Sequence, residues 1–82
     1  MQFTFRPKGV CCREMQITIE DGLIKSLQVL GGCAGNLQGL CKLVEDMPVD
    51  HVIARLAGIP CKEKQTSCPD QLSTALKEAM AR

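Results

Sequence analysis

The sequence predicts an α+β domain, a small three-stranded antiparallel sheet followed by three helices packed on one of its faces. Up to Leu30 the apolar residues recur with period two. Beyond it they recur at helical spacing, and the change falls on one glycine-rich stretch, Gly31-Gly32-Cys33-Ala34-Gly35.

The first strand is expected over Gln2 to Arg6, with Phe3 and Phe5 on one face. Pro7, Lys8 and Gly9 then turn the chain. Glu14 to Glu20 alternates, with Met15, Ile17 and Ile19 facing in and Gln16 and Thr18 facing out. Asp21-Gly22 is a hairpin signal, and Leu23 to Leu30 is the returning strand. Paired residues share a face, so Ile17 should oppose Leu27 and Met15 should oppose Val29. A plain two-residue turn would instead pair Ile17 with Ser26. A three-residue loop or a bulge near Asp21 to Leu23 is therefore expected, and Ile24, out of phase with Leu27, also points to a bulge.

In the helical part, Asn36 is the expected N-cap of a first helix carrying Leu37, Leu40, Val44 and Met47. Pro48 opens a second helix with Val49, Val52, Ile53 and Leu56 on its apolar stripe and Gly58 as its C-cap. Ser67-Cys68-Pro69-Asp70 reads as a capping box, with Asp where Glu or Gln is usual. Leu72, Ala75, Leu76 and Ala79 form the inner face of the last helix.

The chain has 82 residues, 45% of them hydrophobic, and six cysteines. One domain over residues 1–82 is expected, with a thin stability margin that a metal, disulfide or partner subunit commonly reinforces. A net charge of +1 argues against nucleic acid and anionic membrane as partners, and two phenylalanines are too few aromatics for a base-stacking platform. No apolar run is long enough to span a bilayer, and the first residues lack a signal-peptide stretch. A cytoplasmic, reducing setting is therefore expected, where cysteines read as metal ligands, redox thiols or packing.

The hairpin places Cys11 and Cys33 at equal distances from Gly22, near its open end. The first helix leaves that end and the second returns to it. Cys61 follows the second helix and Cys68 opens the third. Chain path thus brings Cys11, Cys33, Cys61 and Cys68 to one end as candidate ligands, with Cys12 as the substitute for Cys11. Thiolates suit zinc or an iron–sulfur centre, and four close a tetrahedral site. The sequence has no CxxC pair, so spacing alone does not single out a shared site. Cys41, beside Leu37, Leu40 and Val44, is expected to be a small buried hydrophobe.

The run Thr66-Ser67-Cys68-Pro69-Asp70 resembles the signature of the TSCPD domain family. The resemblance extends through Cys11 to Met15, Gly31 to Asn36, Leu56 to Cys61 and Thr66 to Leu72, as in a short, free-standing member. It places Cys33, Cys61 and Cys68 on the family's cysteine positions, with Cys11 and Cys12 competing for the first. The family's larger setting is the C-terminal region of adenosylcobalamin-dependent ribonucleotide reductases. That setting implies a link to DNA synthesis, to nucleotide binding or to a reductase as partner. An 82-residue chain has no room for the reductase barrel, so independent reductase activity is not expected. The layout is also loosely similar to iron–sulfur cluster scaffold proteins.

Gly32, Gly35 and Asn36 lie at a helix start that could cradle an anion or nucleotide, although a tight turn freeing Cys33 explains them better. His51, the only histidine, reads as a solvated residue of a helical first turn. Three functions fit the sequence. One is a cysteine-ligated metal module with an accessory or interaction role. Another is a thiol-redox part of ribonucleotide reduction using Cys61 and Cys68. The third is a structural domain, homodimeric in one version, with buried free thiols.

Overall fold

The computed structural model of the protein describes residues 1–10, 12–32, 34–60 and 65–81. Three strands, β1 (Gln2–Phe5), β2 (Cys12–Glu20) and β3 (Leu23–Gly31), precede three helices, α1 (Ala34–Leu43), α2 (Val49–Leu56) and α3 (Cys68–Met80). The sheet is antiparallel in the order β1-β2-β3. The α+β class and the order of elements are those the periodicities predict.

The central register also agrees: Ile17 opposes Leu27 and Met15 opposes Val29, while Phe3 and Phe5 pair with Ile17 and Met15. Of the two expected arrangements, a three-residue loop or a bulge, the structure has the bulge. Asp21 and Gly22 make a two-residue turn between the paired Glu20 and Leu23, with left-handed φ of 55° and 75° at the two positions. Such φ values match the twist of a tight hairpin, which is why Asp-Gly suffices. The extra residue sits further along, at Lys25: Ile19 pairs with Ile24 but Thr18 pairs with Ser26. This bulge turns Ile24 and Leu27, three apart, to the same buried side.

A second irregularity lies at the other end of β2. Glu14 pairs with Leu30 and Cys12 with Gly31, so Arg13 is passed over. The strand consequently begins at Cys12, two residues earlier than the alternation from Glu14 suggests, and β1 stops at Phe5.

Gly31 and Gly32, with φ of 84° and 77°, turn the chain out of β3. The helix starts at Ala34, so Asn36 is a residue of its first turn and not its cap. The helix ends at Leu43, before Met47, because residues 46–48 join the sheet edge instead. Asp46 N–H donates to the Ile24 carbonyl (2.7 Å), Ile24 N–H to the Met47 carbonyl (3.0 Å) and Val49 N–H to the Gly22 carbonyl (2.9 Å). Lys25 adds an ion pair with Asp46 at 3.1 Å. The α1–α2 link is thus pinned beside the hairpin turn, and α2 leads away from it. Ala57 caps α2 in an extended conformation, and Gly58, expected as the cap, follows it at φ 83°.

Met15, Ile17, Ile24 and Leu27 from the sheet join Leu37, Val49, Val52, Leu72, Ala75, Leu76 and Ala79 from the helices in one buried cluster. Fully burying one of its valine, leucine, isoleucine or methionine side chains is worth roughly 1.5–3 kcal/mol, so this cluster, more than any surface contact, holds the helices to the sheet.

Candidate functional site: a thiol pair between β2 and α3

Cys12 opens β2 and Cys68 opens α3. Their sulfurs stand 2.8 Å apart, both buried, although 56 positions separate the residues in the chain. Two local devices make this meeting. On β2, strict alternation from Met15 would put Cys11 on the core side; passing over Arg13 gives that side to Cys12. Gly31 makes the irregularity possible. A Cβ there would lie 3.3 Å from the Arg13 backbone nitrogen, and φ at Gly31 is 84°, in the region glycine favours.

On α3, the run Thr66 to Asp70 holds Cys68 from both sides. The Ser67 hydroxyl accepts from the Asp70 N–H at 3.1 Å and caps the helix, while Pro69 occupies its first turn. The Asp70 carboxylate, which the capping box would send back to Ser67, goes elsewhere. It accepts from the Thr66 hydroxyl and from the Gly58 N–H, each at 2.6 Å. Thr66 accepts in turn from the Gln71 amide at 3.0 Å, and Gln71 accepts from the Lys8 N–H at 3.1 Å. The first turn of α3 is thereby tied to the end of α2 and to the β1–β2 loop. The Thr66 hydroxyl foremost, then the Gly58 N–H, hold the Asp70 carboxyl below its ordinary range.

Of the candidate ligands, Cys11, Cys33 and Cys61 lie outside the described residues. Cys68 is brought to the thiol pair, and the residue that meets it is Cys12. Among the described residues, no three His, Cys, Asp or Glu side chains form a group that could hold a metal. Sulfur is the donor type that zinc and iron–sulfur centres take, and such sites close with four ligands, of which the described residues supply these two. Two sulfurs on one tetrahedral zinc are roughly 3.8 Å apart for bonds near 2.3 Å, and a disulfide is about 2.05 Å long. The observed spacing lies about an ångström from either.

Cys41 is half-buried, not enclosed as expected, and lines a groove of about 650 Å³ between β3 and α1. The groove also takes in Ser26, Gln28, Gly32 and Gln38. Burial pushes the Cys41 thiol up from its ordinary value, and the Val29 N–H facing it offsets this in part. Gly35 and Asn36 are exposed in the first turn of α1, and His51 is exposed at the start of α2. No helix is long and apolar enough to cross a membrane among the described residues.

A three-stranded sheet backed by three helices, with a buried thiol pair where β2 meets α3, defines a small cysteine-bearing α+β domain. The chain belongs to the TSCPD domain family, whose profile matches residues 2–80. Comparison with curated proteins and with solved structures gave no match.

Proposed function

We propose that the protein is a small thiol-ligated metal-binding module, for zinc or an iron–sulfur cluster, with an accessory or interaction role. Cys12 and Cys68 are two of its ligands, and Cys33 and Cys61 are the candidates for the remaining positions. The observation that carries this reading is the convergence of the Cys12 and Cys68 sulfurs, 2.8 Å apart, on a wall of apolar side chains. Burying two polarizable thiols together serves packing no better than two aliphatic side chains would. A metal gives the arrangement a purpose and adds folding free energy to a short chain. The resemblance to the C-terminal region of adenosylcobalamin-dependent ribonucleotide reductases supports an accessory place in deoxyribonucleotide synthesis, with a reductase as the partner.

Once bound, the metal supplies a structural crosslink or an electron-transfer centre. The chain's own residues do the rest. Ser67 and Asp70 fix the first turn of α3, Arg13 and Gly31 aim Cys12, and the apolar cluster excludes water. Elemental analysis of full-length protein, purified under reducing conditions without added metal, tests the reading. Metal should be bound by the wild type and by Cys41→Ser, and lost in Cys12→Ser and Cys68→Ser. Wild-type protein without zinc or iron, or Cys68→Ser retaining its full content, would overturn it.

A further inference from the structure

We infer that Cys12 and Cys68 form a reversible disulfide that latches β2 to α3, and that a hydroperoxide closes it. The disulfide itself rests on the geometry alone; its competition with metal rests on the function proposed above.

The sulfurs are already 2.8 Å apart, and a shift of under an ångström brings them to bonding distance, about 2.05 Å. Neither sulfur depends on a flexible loop for its position: Cys12 is held in a strand pair, Cys68 in a capped helical turn. At 3% and 7% exposure the two residues are closed to bulky reagents, so the oxidant must be small. Hydrogen peroxide meets that requirement.

In the first step one thiol sulfur attacks the peroxide. An S–O bond forms, the O–O bond breaks and water leaves, giving a sulfenic acid. In the second, the neighbouring sulfur attacks the sulfenic sulfur. The S–S bond forms, the S–O bond breaks and a second water leaves. Two thiols lose two electrons and two protons in all, and one peroxide becomes two waters. The nearness of the second sulfur favours the disulfide over further oxidation of the first. A small dithiol reverses the reaction by thiol–disulfide exchange. The disulfide removes two thiolate donors at once, so a metal held by Cys12 and Cys68 would be released on oxidation.

The test uses the full reduced chain treated with one equivalent of hydrogen peroxide, then unfolded in denaturant containing N-ethylmaleimide and mapped by mass spectrometry without reduction. A colorimetric chelator follows metal release in parallel. The expected result is a dominant Cys12–Cys68 crosslinked peptide, retained in Cys41→Ser, absent from Cys12→Ser and Cys68→Ser, and reversed by dithiothreitol. Metal release should keep pace with it. Cys12 and Cys68 both recovered as maleimide adducts, or either joined mainly to another cysteine, would overturn the latch. A crosslink formed in protein that never contained metal would leave the latch standing and remove the metal reading alone.

Discussion

The Asp70 carboxylate accepts the Gly58 backbone N–H at 2.6 Å, tying the end of α2 to the first turn of α3 two residues beyond Cys68. The same carboxylate takes the Thr66 hydroxyl at the same distance. The five residues from Thr66 to Asp70 are therefore one device. Ser67 starts the helix, Asp70 fastens it to its neighbours, and Cys68 is held between them against Cys12.

This device should weaken in acid. The Asp70 carboxyl lies below its ordinary value of 3.8, the Thr66 hydroxyl contributing most and the Gly58 N–H next. The folded state thus binds its proton less readily than the unfolded state. The stabilisation is fully present above the ordinary value and is lost as pH falls through the lowered one. Asp70→Asn should be less stable than wild type at neutral pH, with the difference shrinking in acid. Urea melts at several pH values check this, and a pH-independent difference would contradict it.

Ser67→Ala removes the side-chain acceptor of the Asp70 N–H. Loss of such a cap costs about 1 kcal/mol, which urea denaturation will resolve. Ser67→Thr, which keeps the acceptor, should recover most of the loss.

Gly31→Ala changes no cysteine, yet it should disturb the thiol pair. The added Cβ would crowd the Arg13 backbone and demand a left-handed φ of 84° from alanine. The irregularity at Arg13 would be strained, and Cys12 would lose its aim. Metal content and the yield of the Cys12–Cys68 crosslink should both fall, whereas Gly35→Ala, with open space around its Cβ, leaves them unchanged.

Closing the latch should stabilise the fold. A crosslink spanning 56 positions removes chain entropy worth at most about 4 kcal/mol, less any native strain. Urea midpoints of metal-free protein should therefore be higher after oxidation than after reduction, and lower again once dithiothreitol is added.

Cys41 should behave differently from the pair. It is half-buried while Cys12 and Cys68 are buried, so it should be alkylated before either of them in the native protein. Burial raises its pKa from the ordinary 9.0, so its labelling rate should continue to climb above that pH. Timed maleimide or iodoacetamide labelling with peptide mapping reads both effects.

The fold was largely legible because its core strands and helices obey simple periods. Ile17 against Leu27 and Met15 against Val29 follow from alternation, and Leu72, Ala75, Leu76 and Ala79 from helical spacing. Misplaced boundaries arose where tertiary contacts overrode local pattern. Residues 46–48 left the helical path for the edge of β3, and glycines at 31 and 32 let α1 start before Asn36. At the thiol site, chain path correctly indicated that Cys68 returns to the open end of the hairpin. The identity of its neighbour turned on one residue, since a single-position irregularity exchanges the two faces of a strand. The signal was present: Cys12 precedes Met15 by the same spacing as Ile24 precedes Leu27, where a bulge was inferred. Asp70's reach to Gly58 had no such signal, because it joins residues from separate elements.

X-ray absorption at the metal edge of the purified, reduced protein tests the thiol centre most directly. Sulfur scatterers are expected at about 2.3 Å, with the sulfur signal reduced in both Cys12→Ser and Cys68→Ser. A coordination shell of nitrogen and oxygen alone, or a sulfur signal indifferent to both substitutions, would contradict it.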